Sequence, residues 1–436
     1  MASKYFKKFN EHDAYEEFLA GEITFPNVSI CDSEAHVHYS NASDVNYILI
    51  DQNDTDPSTR ISGDVRGTVI QQIRSNSHIY LGRYDSETSK LLITQISDSN
   101  KTEFTDGSSA TGYLGNLFMK LPEFWWNCGE TETDSDIWRC GFSMSKVDGW
   151  NHWDGKYFIG VHEAKASQQN ATNNADSTNN ALNDYTATLS DVPGYTGYSS
   201  GNIPQDVFRQ MARNLGEGFT ITTWNVHCIM ALLFYAYYGT TNSQGQCGTG
   251  SIYSDRKMGQ CDSLGMTDTT TSNSSVSTNF WGLENWWGEK YELIDNVYVT
   301  IDGSQAIVNI YNDDESLNRS VATISKASCY NFAILGKAFD LLPASRGGSS
   351  TTGYCNSMYV SGANTTYAIT DNEGAVHNTS HPGRVGARSN SNADGGVAYC
   401  YLNAGPGGAS AGYGARLQYH GEYEVAEPVA PYYYED

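Results

Sequence analysis

The chain has 436 residues, enough to bury a large core and to divide into two or three domains. Its 26 basic and 50 acidic residues give a formal net charge of −24, which argues against nucleic acid and anionic membrane surfaces as partners, because both need clustered Lys and Arg. With 42 Gly, 30 Tyr, only 10 Pro and 39% apolar residues, the composition is that of an ordered, β- and loop-rich protein rather than a disordered one.

Residues 1–18 carry basic side chains but no apolar h-region, so no secretory signal is expected and the chain is expected to fold in the cytosol. Asn10 can cap a short amphipathic helix over 10–20, with Tyr15, Phe18 and Leu19 on one face and Gly21 to stop it. Alternation from Val28 predicts a strand. The polar tract 51–60 then closes a unit, 1–55, expected to be an attachment arm. A small antiparallel β unit is expected over 61–110, with strands at Thr68–Ile73, His78–Arg83 and Lys90–Ile96.

From Leu117 the composition turns aromatic. Trp125, Trp126, Trp281, Trp286 and Trp287 are expected in the core, KYFIGVHEA (156–164) reads as a buried strand, and the Asn-, Ser- and Thr-rich stretch 166–200 as a long irregular loop. Two helices follow. Pro204 suits a first helical turn, Val207, Phe208, Met211 and Leu215 share one face, and Gly216 can end that helix. The second starts at a Thr222 or Thr223 cap, runs through WNVHCIMALLFYAYY and stops at Gly239. It is apolar on most sides, which predicts burial on most of its circumference. Its apolar run, 228–238, is too short to span a bilayer. Val297, Val299 and Ile301 alternate, as do Ala306, Val308 and Ile310, about the hairpin signal Asp302-Gly303. No repeat of solenoid period is present, and 421–436 is expected to be a tail. The nine cysteines, an odd number with no zinc-finger CxxC spacing, are read mainly as small buried apolar residues rather than as a disulfide framework.

Residues 389–413, SNSNADGGVAYCYLNAGPGGASAGY, contain no Lys, Arg or Glu and one Asp. Pro382-Gly383-Arg384 precedes them and Gly414-Ala415-Arg416-Leu417 follows. Tyr supplies contact area at low entropy cost, while Ser, Asn and Gly supply adaptable hydrogen bonds, the usual chemistry of recognition surfaces. The candidate ligand-binding residues are Ser389, Asn390, Ser391, Asn392, Asp394, Tyr399, Tyr401, Asn403, Ser410 and Tyr413, with the tyrosines expected to be exposed.

PEFWW (122–126), FIGVHEA (158–164), the 224–244 helix and its continuation, FWGLENWWGEKYELIDNV (280–297) and the closing GR…GG…Y-Y-N…GARL (383–417) occur in this order. Together they resemble the C-type-lectin-like domain of receptor-binding fibre proteins of tailed phages, of retroelement-diversified variable proteins, and of the formylglycine-generating-enzyme fold. The resemblance covers about 115–420. The opening PNVSICDSEAHVHYS is similar to that of structural proteins of phages infecting gut Bacteroidales. What this implies is an α+β chain: a β-rich N-terminal attachment region, then a C-type-lectin-like domain over 115–420 with two helices around a twisted antiparallel sheet. It further implies a virion protein, a homotrimeric head or tail fibre subunit. Such a subunit contacts other virion proteins through its N-terminal arm and binds a host surface glycan or protein through the 389–413 face. Diversified relatives frequently carry an RGG-S-W-like start, where this chain reads Arg384-Val385-Gly386-Ala387-Arg388. A decoration or adaptor subunit without a host ligand, and a polysaccharide-degrading fibre enzyme, are the alternatives.

Glu284 and Glu289 are the best-placed carboxylate pair for hydrolysis, and core support is their ordinary use. No GxSxG elbow is present, GTGS (248–251) lacks the context of a phosphate loop, and Cys355 and Cys400 have no cationic neighbour in sequence to activate them. His36 and His38 share a strand face, and His377 and His381 fall in what reads as a loop. No metal, cofactor or catalytic residue is assigned, and no enzymatic activity is expected.

Overall fold

In the computed structural model, residues 44–166, 187–250, 257–270, 277–312 and 410–430 are described apart from isolated positions, together with strands at 29–38 and between 316 and 401. The expected helix at 10–20, and site positions 389–394 and 403, lie outside the described residues. The architecture is α+β and rich in antiparallel sheet.

The first large sheet has five strands in the order Asn151–Trp153, Phe124–Glu130, Ile137–Ser143, Val45–Asp51 and Ile61–Gly63. Strand Val45–Asp51 pairs along its whole length with Ile137–Ser143, so chain from the expected arm shares a sheet with the aromatic segment. The second sheet joins Phe219–Ile221, Leu417–His420, Tyr157–Gly160, Asn116–Lys120, His78–Asp85, Lys90–Ser97 and Tyr423–Val425, with Asn100–Phe104 paired to Lys90–Ser97. Pairing therefore crosses the expected boundaries near 55 and 110. It also corrects the expected tail: Tyr423–Val425 is a parallel strand against Leu91–Ile93, and Leu114 N–H donates to Val429 O.

The segment read as a strand at Thr68–Ile73 is a helix, α1 (Thr68–Ser75). Val69, Ile70 and Ile73 form its buried face. Its N-terminus is capped from a distance: Asn46 Oδ1 accepts from Val69 N–H at 2.5 Å and Ile70 N–H at 3.2 Å. That cap satisfies donors that every helix start leaves open, and it comes from another strand, where local sequence does not reveal it.

The two expected helices are present as α2 (Gln205–Arg213) and α3 (Trp224–Tyr238). Twelve of the fifteen residues of α3 are buried, which is how an all-apolar helix must sit. Thr223 precedes it, but the Thr223 amide and hydroxyl donate to Gln418 Oε1 rather than capping the helix. Gly239 ends it at φ 66°, and its N–H returns to Tyr235 O. A short helix, α4 (Ser243–Cys247), follows.

The third sheet has at its centre Tyr291–Asp302, flanked by Gln305–Tyr311 and then Leu317–Ser325 on one side and by His381–Gly386, then Gly396–Tyr401, on the other. The expected hairpin is there, in register from Val297↔Ile310 to Asp302↔Gln305. His377 and His381 lie on strands, Val376–Thr379 and His381–Gly386, rather than in a loop. Trp126, Trp281, Trp286 and Trp287 are buried as expected, whereas Trp125 is half-buried and stacks on His152 at 4.6 Å. Cys128 and Cys140 face one another on paired strands and form a disulfide, which the reading of the cysteines as unpaired did not anticipate. Cys228, Cys247, Cys261 and Cys400 are buried and stand outside that disulfide.

Candidate functional site

The polar segment is held at defined points of the third sheet. His381–Gly386 pairs with Tyr291–Asp302 and with Gly396–Tyr401, with Arg384 opposite Tyr401 and Val385 opposite Cys400. Past the segment, Tyr413–Gly414 pairs in parallel with Tyr291–Glu292. Residues 387–395 thus connect two paired strands, and 402–409 lead from one of them back to the central strand.

These junctions are tightly fitted. Gly386 sits at φ 81°, and a Cβ there would lie 3.0 Å from Trp286 O. Ser243 Oγ, from α4, accepts from Val397 N–H at 3.0 Å. Arg384, before the segment, and Tyr413, after it, converge on Tyr291. The Arg384 guanidinium carbon lies 4.4 Å from the Tyr413 ring centroid and 5.1 Å from that of Tyr291, and the two tyrosine rings are 6.0 Å apart. Cation–π contact contributes more when desolvated, and Arg384 is only 4% exposed.

Of the ten candidate residues, Ser389, Asn390, Ser391, Asn392, Asp394 and Asn403 lie outside the described residues. Tyr401 is on the Gly396–Tyr401 strand. Ser410 and Tyr413 are half-buried. Tyr399 is 4% exposed, its ring 5.9 Å from that of Tyr291, so it supports the sheet rather than presenting a free face. Alternation along a strand sends every second side chain inward, and composition alone cannot choose which.

Beneath this frame lies a layer of buried charge that the sequence did not reveal. Arg416, fully buried, donates through Nη1 to Gly160 O and Val161 O at 3.0 and 2.7 Å. Its Nη2 donates to Glu284 O and Asn285 O at 2.7 and 3.3 Å, and its Nε to Glu292 Oε1 at 3.0 Å. Burial raises the Glu292 carboxyl and Arg416 pulls it back, leaving it at about 7. Lys290 Nζ donates to Ser199 O and Oγ at 2.9 and 2.7 Å, beside Glu163 at 3.9 Å. Asp295 accepts from Thr220 Oγ1 at 2.7 Å and pairs with Arg209 at 3.3 Å.

His162, at the end of FIGV, is buried between two aspartates. Its Nδ1 is 2.7 Å from Asp191 Oδ1 and its Nε2 is 2.8 Å from Asp262 Oδ1. Burial alone would lower its pKa, but the two aspartates outweigh burial and hold it at about 10. His162, Asp262 and Glu284 offer ligand atoms within 4.8 Å of one another, all from buried residues. By contrast His227, on α3, has neither ring nitrogen hydrogen-bonded among the described residues, and burial lowers it to about 3.

Glu284 and Glu289 are 1% and 2% exposed. Glu284 Oε2 accepts from Cys261 N–H and Glu289 Oε2 from Asn285 Nδ2, each at 2.6 Å. They support chain and core side chains. Burial pushes the Cys400 thiol up, so thiolate chemistry is not favoured there.

The fold and site define a β-rich α+β protein whose third sheet holds Arg384 and Tyr413, which flank the polar segment, and which contains a cluster of buried charged residues. No family model matches the chain, and no curated protein matches it. Among solved structures it is similar to the Major Tropism Determinant I1 Variant, at 11% identity and TM-score 0.29 over 81% of this chain and 73% of that one. It is also similar to the Major Tropism Determinant U1 Variant, at 12% identity and TM-score 0.25 over 80% of this chain and 95% of that one. Likenesses this shallow carry no weight for fold or function.

Proposed function

We propose that the chain is a phage virion protein, a head or tail fibre subunit with a C-type-lectin-like domain, that attaches the particle to a host-surface glycan or protein without enzymatic action. The observation that supports this reading is the clamping of a segment free of Lys, Arg and Glu. Arg384, five residues before that 389–413 segment, and Tyr413, at its end, meet at Tyr291, while Arg416 anchors the chain just beyond. A scaffold fixed in this way, with Val397, Tyr399 and Cys400 buried as part of it, tolerates changes of side chain at loop positions between its anchor points. Sugar recognition uses aromatic faces with Asn and Asp hydrogen bonds, and Tyr401, Asn390, Asn392, Asp394 and Asn403 offer both.

In this reading the first 55 residues dock onto the particle, and the subunit is a homotrimer. Weak single contacts then add to an avidity gain of about 10²–10⁴. Light scattering of the purified chain together with adsorption to gut Bacteroidales cells tests the proposal: a trimer that adsorbs is the expected result, and a monomer that binds no isolate overturns it. Release of reducing ends from host capsular polysaccharide would contradict the non-enzymatic part alone.

A further inference from the structure

We propose that His162, Asp262 and Glu284 form a structural binding site for one divalent transition-metal cation of the zinc class. Three chain segments far apart in sequence supply the residues: the end of the Tyr157–Gly160 strand region, the 3-10 turn Asp262–Leu264, and the strand Leu283–Glu284. Their relative exposures are 2%, 7% and 1%.

Four observations converge. The ligand atoms lie within 4.8 Å of one another, and donors about 2.0–2.2 Å from a tetrahedral cation stand about 3.3–3.6 Å apart, so side-chain shifts of about an ångström, opening the 2.8 Å His162–Asp262 pair and closing the widest one, form the site. Asp191 Oδ1 sits 2.7 Å from His162 Nδ1, and Asp191 Oδ2 also accepts from the His162 amide at 2.8 Å. That carboxylate fixes the ring through Nδ1, the arrangement that orients metal-binding histidines, and a cation at Nε2 would displace the proton that Nε2 otherwise shares with Asp262. Among the described residues, Glu284 Oε1 is buried with no hydrogen-bond partner, while Oε2 is held by Cys261 N–H. A buried carboxylate oxygen without a partner is costly, and a cation satisfies it.

Charge gives the fourth. Asp191, Asp262 and Glu284 carry three formal negative charges, and Lys101, whose Nζ donates to Asn279 Oδ1 and whose charge acts on Asp262, carries one positive. A divalent cation with neutral His162 balances this set; a proton on His162 leaves it one negative charge over. An imidazole with two carboxylates suits zinc-class ions better than calcium, which takes six to eight oxygens. The cation would tie the 261–265 turn to Glu284, whose carbonyl accepts from Arg416, and so stiffen the buried charge layer around Arg416.

The test uses the full chain, stripped with EDTA and titrated with ZnCl₂ by calorimetry, with metal content measured by mass spectrometry. The expected result is one equivalent of Zn²⁺ per chain and a raised melting temperature, with no comparable response to millimolar CaCl₂. Glu284→Gln keeps an acceptor for Cys261 N–H, and its circular dichroism should match the parent while Zn²⁺ affinity falls at least tenfold. Asp262→Asn serves if that variant does not fold. Asp191→Asn should weaken binding about 10–100-fold through the ring orientation alone. Absence of stoichiometric Zn²⁺ in the parent, undiminished binding in folded Glu284→Gln or Asp262→Asn, or preference for Ca²⁺ overturns the assignment.

Discussion

Replacing Arg416 by Ala tests how the frame is held. The side chain is fully buried and bonds four backbone carbonyls, of Gly160, Val161, Glu284 and Asn285, as well as the Glu292 carboxylate. Removing one partner of a buried ion pair leaves an uncompensated charge and costs about 3–5 kcal/mol. The four carbonyls lose a charged donor as well, though each keeps a second lone pair, so we place the loss at about 5 kcal/mol. That is comparable with the whole stability of a typical domain, about 5–15 kcal/mol. Arg416→Lys keeps the charge but not the planar fork and should lose about half as much. Arg416→Met with Glu292→Leu removes both charges and should recover most of the deficit. Urea unfolding followed by Trp fluorescence reads the effect as a lower midpoint at unchanged slope. An Arg416→Ala variant within about 1 kcal/mol of the parent, or a double variant no better than Arg416→Ala, would refute the reasoning.

Other outcomes follow from the same layer. His227 is held neutral by burial with a pKa of about 3 against an ordinary 6.5, so its contribution is intact above pH 6.5. It is lost as pH falls from 6.5 toward 3, at up to about 1.4 kcal/mol per pH unit. His227→Phe should flatten that acid-side slope in denaturation curves at pH 4 and pH 7; an unchanged slope counts against it. Gly239→Ala places a Cβ 2.9 Å from Val65 Cγ1 at φ 66°, and thermal melts should show a loss of about 1 kcal/mol or more, against no loss if the αL stop is dispensable. Tyr399→Ala should lower the melting temperature more than Tyr399→Phe does, since the ring packs on Tyr291; equal melting of both variants would mean the ring does not support the sheet.

The parts of this fold legible in the sequence are those written in one stretch of chain. Helix α3 announced itself by an apolar run ended by Gly239, and the 291–311 hairpin by alternation around Asp302-Gly303. Where a distant partner decides, local pattern failed. Asn46 caps α1, so Val69, Ile70 and Ile73 became a helix face instead of a strand. Leu91–Ile93 recruits Tyr423–Val425 out of the expected tail, and strand pairing brings Cys128 to Cys140. At the site, the bracketing residues Arg384 and Arg416 were visible as a frame, but their roles were not. Arg384 closes on Tyr291 and Tyr413, and Arg416 binds carbonyls more than a hundred residues away in the chain. The cluster of His162, Asp191, Asp262 and Glu284 has no spacing that a motif could capture. Tyr399 was misjudged as exposed because composition carries no inward or outward phase.

The central claim is that Asn390, Asn392, Tyr401 and Asn403 belong to a recognition face whose replacement leaves the frame of Arg384, Tyr399, Tyr413 and Arg416 intact. Fluorescently labelled protein carrying Asn390→Ala, Asn392→Ala, Tyr401→Ala and Asn403→Ala together should be compared with the parent for adsorption to a panel of gut Bacteroidales isolates. Melting should be followed in parallel. The account predicts at least a tenfold loss of adsorption with the melting temperature within a degree or two of the parent. Adsorption equal to the parent's, or a variant that fails to fold, contradicts it.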